Sequence, residues 1–515
     1  MFGDVSGSNS KIENLKVNNA IVNSVSSNVG GVVGYIQGST ISKVGFEGNV
    51  NGYSSVGGIA GSSNRTNLDQ TYFEGEITGT YEYIGGIVGY ASKTKTSNSY
   101  STGIINSAGN PCGGIDSKWG TRTNCYTTAQ ITNIKTSQPI GIDGTNQSTF
   151  WAPEYSGKLS AQSSDGKKRA FQLYKMSTFE NWDFENIWEI EEGNTTPYLK
   201  WAGKTKNVKK ENINMVDKYT PKGNEMNGKG TEEEPFEINT VEQLEDVNLL
   251  LEANYTLINN LDLSSICNEE NENWEPLGNS DEPFMGSFNG EYHTISNLYI
   301  NTVNSYQGLF GNMKGTAKIK NLYLDNVNVT SKSNYIGGLV GQASGEIIRI
   351  GVNGNINGAE AVGGIIGSNS KKATTEELFF EGNVTGSAYV GGIVGTGTGS
   401  RKLLNCYSKG TLSAKTNNSG GIDGRFSYRE KCYSISKLVY PNYSKPIGND
   451  GTTSEDCFWA PDTSGSDINS TGKSTVEDMK KQETYTNVGW DFEKIWIMDT
   501  KTGYPRLQWE NNIIH

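Results

Sequence analysis

Apolar residues come in short bursts along this chain, and the bursts repeat one phrase. VGGVVG stands at 29–34, VGGIAG at 56–61, IGGIVG at 84–89, IGGLVG at 336–341, VGGIIG at 362–367 and VGGIVG at 390–395. The second glycines of the first series are Gly31, Gly58 and Gly86, continued by Gly114 in CGGID and Gly141 in PIGIDG, in steps of 27, 28, 28 and 27. Gly308, Gly338, Gly364, Gly392, Gly421 and Gly448 continue the rhythm in steps of 30, 26, 28, 29 and 27. A fixed period of this size marks stacked supersecondary units. Between the glycines stand runs such as SKVGF, EGNV and VGGIAG. They are too short for helices and rich in strand formers. Paired glycines suit a corner where φ is positive or backbones pass closely. Each period therefore predicts one coil of three short strands and three corners. Coils stack at ~4.8 Å along continuous ladders, because one coil cannot bury its own apolar face. The fold class predicted is an all-β, parallel β-helix or β-solenoid of about 27 residues per coil. It is expected to be right-handed, as parallel crossovers generally are.

A longer repeat lies over the first. FWAP at 150–153 returns at 458–461, NWDFENIWEI (181–190) returns as GWDFEKIWIM (489–498), and TPYLKW (196–201) as YPRLQW (504–509), each 308 residues on. The pattern predicts two tandem copies, 1–201 and 229–515, joined by a polar Lys-rich linker at 202–228. Copy two opens with Thr240 and Gln243 in capping-box spacing before VEQLEDVNLLL, which predicts a helical cap over the end of the solenoid. Copy one has no such stretch, and Phe2-Gly3 aligns with Phe310-Gly311. The expectation is that copy one starts inside a repeat, as a piece of a longer protein. Ser474 and Glu477 predict a second capping box, and AFQLYKM a looser helix. Trp182, Trp188, Trp201, Trp490, Trp496 and Trp509 read as a plug over the last coil of each copy.

Composition narrows the function classes. Hydrophobic residues make up 34% of the chain, enough for a thin prism core, and Pro is only 12 of 515, as continuous ladders require. A net charge of −12 argues against sequence-independent binding to nucleic acid or to a membrane surface. No apolar run reaches membrane-spanning length, and no signal peptide opens the chain. Cys406, Cys432 and Cys457 fall one coil apart, each before Tyr or Phe, with Ser99, Cys125 and Thr149 at the matching places in copy one. They predict a column of small buried residues rather than a disulfide framework or a zinc site. The only histidines are His293 and His515, so no Ser-His-Asp triad, Cys-His dyad or H-E-x-x-H zinc motif can be built.

The candidate chemistry is a carboxylate column. In the later coils the phrase becomes GGIDS, GIDG, GGIDG and GNDG, placing Asp116, Asp143, Asp423 and Asp450 on successive coils. Two carboxylates about 5 Å apart could act as acid and nucleophile on a glycan, or share a Ca²⁺. Trp119 with Arg122, and Arg425 with Arg429, are candidates to line a groove beside them. The commoner use of such Asp residues is to accept backbone amide hydrogen bonds in Gly-rich corners, and this bland reading outweighs catalysis. Like charges one coil apart repel unless solvated, hydrogen-bonded or bridged, so weak Ca²⁺ binding at Asp423 and Asp450 is an expectation to test.

The recurring VGGIVG, runs such as NCYSKG (405–410), the opening GTEEEPFEINTVEQL, FNGEYHTISNLYI and the WDFEKIW…YPRLQW ending resemble the GLUG-motif repeats of bacterial secreted and surface proteins. Adhesin-like proteins carry such repeats, and the repeats also occur beside the catalytic domain of a class of bacterial immunoglobulin A peptidases. The resemblance covers nearly all of the chain outside the linker. It implies a parallel β-helix-like fold and an extracellular, cell-surface or secreted location. It supplies no catalytic residues, since the peptidases' zinc motif is absent here. Three functions follow as expectations. The first is a non-enzymatic, monomeric adhesin-like module or stalk, without cofactor, that binds a host or matrix glycan or protein. The second is an accessory region of a secreted enzyme whose catalytic domain lies outside this chain. The third is a glycan-cleaving solenoid that uses the stacked Asp residues.

Overall fold

The structure is a computed structural model of the chain. It describes all residues except 109–110, 133–136, 158–165, 214, 217–219, 271–272, 371–373, 398–400, 441–443, 449–453 and 469, and the side chains of 401, 417 and 418. It is a parallel β-solenoid of about 15 turns at ~28-residue spacing. Two compact units divide it, Met1–Pro221 and Lys222–His515.

A coil of the first unit holds the strands Thr40–Gly52, Val56–Gly57 and Ala60–Asn64. The next repeats them as Asn67–Gly79, Ile84–Gly85 and Val88–Ser92. Pairing is parallel and in step, from Thr40 against Asn67 to Gly52 against Gly79. The three strands are thus unequal: one run of 13 residues replaces two shorter ones. It bends at Gly48, Gly75 and Gly103, all at positive φ. These bends stack so tightly that a Cβ on Gly75 would lie 1.9 Å from the carbonyl oxygen of Gly48. The repeated Gly-Gly pairs work differently. They keep ordinary φ and serve close approach: a Cβ on Gly58 would stand 2.3 Å from both the Gly86 oxygen and the Phe73 ring. The left-handed corner falls one step earlier, on Asn28, Ser55 and Tyr83 in unit one and on Tyr306, Tyr335, Ala361 and Tyr389 in unit two.

Inside the prism, fully buried Val32, Ile36, Val44, Ile59, Ile77 and Ile87 fill the core with Phe46 and Phe73. Each such side chain contributes about 1.5–3 kcal/mol on burial. All six cysteines are buried. At one corner a left-handed residue precedes a small polar one, whose side chain donates back to the carbonyl two residues earlier. Ser99 does so to Ser97 at 2.6 Å, Cys125 to Thr123 at 3.3 Å, and Cys406, Cys432 and Cys457 to their own i−2 carbonyls at 3.2–3.3 Å. This hydrogen bond explains why Ser, Thr and Cys interchange in the column.

The residue after that corner is aromatic and points outward. Tyr72, Tyr100 and Tyr126 stack with centroids 5.3 Å apart, as do Phe379, Tyr407 and Tyr433 at 5.4 and 5.2 Å. The Trp-rich endings lie along these rows. They form a strap down the flank, across several coils, rather than the plug over the last coil expected from Trp182, Trp188, Trp201, Trp490, Trp496 and Trp509. Indole N–H groups pin the strap to the corners: Trp201 donates to the Gln70 carbonyl at 3.2 Å and Trp182 to Ser148 at 3.3 Å. In unit two, Trp509 donates to Glu377 at 3.2 Å and Trp490 to Asp456 at 3.0 Å. The stretch expected as linker makes specific contacts near both of its ends. Lys206–Val208 continues the first strap and buries Val208, while Lys222 and Gly223 donate backbone N–H bonds to Asp246 in unit two.

The helical cap of copy two is Val241–Glu245, extended by a 3-10 turn at Asp246–Leu249, with the Thr240–Gln243 capping box in place. The capping box expected at Ser474 and Glu477 is replaced by a simple N-cap one residue on: Thr475 caps the helix Val476–Met479 and accepts from Asp478 N at 3.0 Å.

Candidate functional site

Two kinds of side chain were singled out near the last coils, and the structure separates them. The carboxylates come first. Asp116 follows Val33, Ala60 and Val88 in an inward-facing column, and Asp423 follows Phe310, Val340, Ile366 and Val394. A second column runs Ile12, Ile41, Leu68, Thr96, Arg122, and its counterpart Ile319, Ile347, Thr375, Leu403, Arg429. Each copy therefore carries an Asp–Arg pair at the same place, where earlier coils hold Ala60 with Leu68 and Val394 with Leu403. Arg122 holds Asp116 with Nε–Oδ2 at 2.7 Å and Nη2–Oδ1 at 2.5 Å. Arg429 holds Asp423 at 2.5 Å, and Ser427 N donates to its other oxygen at 3.0 Å. All four side chains are at most 1% exposed. Burial pushes the Asp423 carboxyl up, while the Arg429 charge and the Ser427 hydrogen bonds pull it down.

Asp143 is not stacked on Asp116. Ile142 bridges Lys118, so Asp143 falls opposite Trp119, where its half-exposed carboxylate lies 3.6 Å from Lys118 Nζ. The expected pair of carboxylates 5 Å apart does not form in unit one. The reason is register: the step from Lys118 to Ile142 is 24 residues rather than 27. Asp450 lies outside the described residues. Arg429 supplies beside Asp423 the positive charge that a Ca²⁺ would have brought. Among the described residues no group of three or more His, Cys, Asp or Glu is placed to hold a metal ion. His293 sits apart from all of these, its Nδ1 3.0 Å from Asn260 Oδ1.

Trp119 and Arg425 belong to an exposed corner. Trp119 is 45% exposed, with Lys118 Nζ 4.6 Å from its ring centroid. Its edge meets Tyr90 at 5.6 Å, and Tyr90 meets Tyr83 at 5.0 Å. In unit two Arg425 takes the place of Lys118. Its guanidinium lies 3.9 Å from the Phe426 ring and 4.9 Å from that of Tyr389, whose hydroxyl accepts its Nη1 at 2.8 Å. Arg122 and Arg429, expected to line a groove, instead point into the core. At the start of unit two, Tyr306 and Tyr335 stack at 5.0 Å and 10° on the corner of Tyr83 and Tyr389, just before the paired glycines. These aromatics share a backbone oddity. Tyr83, Trp119, Tyr306, Tyr335, Tyr389 and Phe426 all have φ between 53° and 69°, a region bulky residues avoid and Asn tolerates. Asn28, Ser55 and Ala361 hold the corner of these tyrosines in other coils, and Arg65 and Lys93 hold that of Trp119, one corner further on, so the fold itself calls for an aromatic ring at neither.

Sequence reasoning reached Trp119 and Arg425 but not Tyr83, Tyr306, Tyr335, Tyr389 or Phe426. A signal was present: Tyr directly before the repeated phrase in YIGG, YQGL, YIGG and YVGG.

No protein-family model matches the chain, so the GLUG likeness rests on the quoted phrases. A stretch of 297 residues, half of this chain, is 27% identical to halomucin of Haloquadratum walsbyi, of which it spans 3%. A stretch of 184 residues, 29% of this chain, is 29% identical to a "Putative Gly-rich membrane protein" of Evansella cellulosilytica, of which it spans 21%. Among solved structures, the crystal structure of "a putative immunoglobulin A1 protease" from Bacteroides ovatus is similar, with 21% identity and a TM-score of 0.45. That likeness covers 55% of this chain and 94% of the other. Among the described residues no helix is long and apolar enough to cross a membrane.

Proposed function

We propose that this chain is a non-enzymatic recognition module of a larger extracellular or cell-surface protein, adhesin-like, binding a glycan or protein through the aromatic corner of its coils. The observation that carries the reading is the set of aromatic residues held at left-handed φ on two neighbouring corners: Tyr83, Tyr306, Tyr335 and Tyr389, where Asn, Ser or Ala serves other coils, and Trp119 and Phe426, where Arg65 and Lys93 serve earlier ones. Such strain, about 1–3 kcal/mol per residue, persists where a side chain has work at the surface. The fate of the carboxylates supports the same reading. Asp116 and Asp423 are closed in with arginines and offer neither an acid nor a nucleophile to a substrate. The names of the two relatives, a mucin-type name and a membrane protein, agree with a surface setting.

The test is a glycan and extracellular-matrix array probed with the whole chain, with Ca²⁺ and with chelator. Trp119→Asn and Arg425→Ala variants run beside it. A specific hit that weakens in these variants and survives chelator is the expected result. A blank array from folded protein would make the chain a rigid spacer instead.

A further inference from the structure

A cavity of about 410 Å³ opens in unit two beside the first of the corner tyrosines. Its lining includes Asn273, Trp274, Glu275, Asn279, Tyr306 and Gln307. Neither Lys nor Arg lines it among the described residues, which disfavours phosphate, sulfate or carboxylate ligands. The polar groups are already oriented. Asn273 Oδ1 accepts from the Asn301 backbone at 2.5 Å, and Asn279 Oδ1 from the Asp281 and Glu282 backbones at 2.9 Å, so both amides present their NH₂ groups as donors. Gln307 does the reverse: its NH₂ donates to the Ser305 carbonyl at 2.8 Å, leaving its oxygen as an acceptor, and the exposed Glu275 adds a second acceptor to the lining. Trp274 is fixed in the wall by its indole bond to the Leu309 carbonyl at 3.0 Å. On one side stands Tyr306, held at φ 61° and backed by Tyr335.

Preset donors and acceptors around an aromatic wall suit vicinal hydroxyls, each of which donates and accepts, on a ring with an apolar C–H face. We propose that this cavity binds a neutral pyranose, the terminal sugar of a glycan chain. The proposal rests on the reading of the corner as a recognition surface and gives that reading a ligand class. Unit one has no counterpart to the loop that supplies Asn273 to Asn279, so the second unit alone carries this pocket among the described residues.

Saturation-transfer difference NMR on the whole chain tests it. The probes are the methyl pyranosides of glucose, galactose, mannose and N-acetylglucosamine, with methyl glucuronide as the charged control. At least one neutral glycoside should receive saturation, and the glucuronide should not. Tyr306→Asn keeps a residue suited to left-handed φ, as Asn28 is in unit one, and should weaken binding at least tenfold without lowering the melting temperature. Silence from all four neutral glycosides, binding unchanged in Tyr306→Asn, or stronger binding of the glucuronide would each overturn the proposal. An array hit that survives Tyr306→Asn but is lost in Arg425→Ala would overturn the pocket and keep the recognition module. A blank array together with silent spectra would overturn both.

Discussion

Replacing Arg429 with Leu should be among the most damaging single changes in unit two. Asp423 is fully buried, and Arg429 carries the charge that permits it to remain ionised there. Removing one partner of a buried ion pair typically costs about 3–5 kcal/mol, because the other charge is left without compensation. Asp423→Val, which strands Arg429, should cost a similar amount. The columns then prescribe the rescue. The residues one coil earlier are Val394 and Leu403. Asp423→Val with Arg429→Leu therefore continues both columns with the pair the fold already stacks. Exchanging a buried pair for well-packed apolar residues is commonly neutral or stabilising by about 1–4 kcal/mol. The double variant should thus melt at or above the temperature of the parent, against a loss of at least 6 °C for either single change, taking roughly 2–4 °C per kcal/mol. The next coil is a check on packing. A Cβ on Gly448 would come within 1.6 Å of Arg429 Nη1, so this glycine makes room for the guanidinium, and Leu fits the same space. Thermal unfolding followed by circular dichroism reads all three variants. If Arg429→Leu costs under 1 kcal/mol, or if the double variant is as unstable as the singles, the pair is not the closed structural unit described here. If the double variant keeps full stability but loses ligand binding, Asp423 has a role beyond packing.

Two further outcomes follow from buried titratable groups. Glu74 anchors the first strap through Thr205 Oγ1 and the Asn207 backbone N–H at 3.2 Å. Burial pushes its carboxyl from 4.5 up to about 8, and burial likewise pushes Glu510 in the second strap to about 7. A folded state that prefers the proton keeps this contribution whole below pH 4.5 and loses it as pH rises through about 7 to 8. The fluorescence of the strap tryptophans should therefore shift towards that of solvated indole between pH 6 and 9. Glu74→Gln with Glu510→Gln should flatten the transition, and a persistent transition would assign it to other groups. The cysteines give the second outcome. All six are buried, and burial raises the thiols of Cys432 and Cys457 and takes Cys125 to about 12. Native protein at pH 8 should react with a thiol reagent far more slowly than denatured protein, which should titrate six; rapid reaction of Cys406, Cys432 or Cys457 would contradict the inward column.

The solenoid was legible because its signal is redundant. The same glycine spacing is written in every coil, and stacking coils is the one way to bury each apolar face. The small-residue column was legible for the same reason, from Ser99, Cys125 and Thr149 against Cys406, Cys432 and Cys457. What stayed hidden depended on direction and register. Identical Trp spacing in two copies indicates packing but not whether the segment crosses the end or runs down the flank. That depended on the outward row of Tyr72, Tyr100 and Tyr126, which offers a continuous aromatic face. The Asp column misled because sequence alignment placed Asp116 and Asp143 in equivalent phrases. A shortened last coil moved one of them to the surface and left the other inside.

The corner before the paired glycines is where fold and function part company. The ladder positions of a coil demand β-formers, and the glycines demand the absence of a Cβ. The left-handed corner fixes a backbone angle and accepts side chains from the exposed Asn28 to the buried Ser55 and Ala361. Asn28 meets that demand at the smallest conformational penalty, and a chain selected for stability alone would use it or Gly throughout. This chain instead places Tyr at 83, 306, 335 and 389. The next corner, after the paired glycines, carries Trp119 and Phe426, with Lys118 or Arg425 beside them, where Arg65 and Lys93 serve earlier coils. The choice recurs in both copies. The rings are not required by the neighbouring coil, since Ala361 fills the gap between Tyr335 and Tyr389. A residue that strains the backbone, is dispensable to the stack and recurs on one exposed edge is best accounted for by what it touches outside the chain.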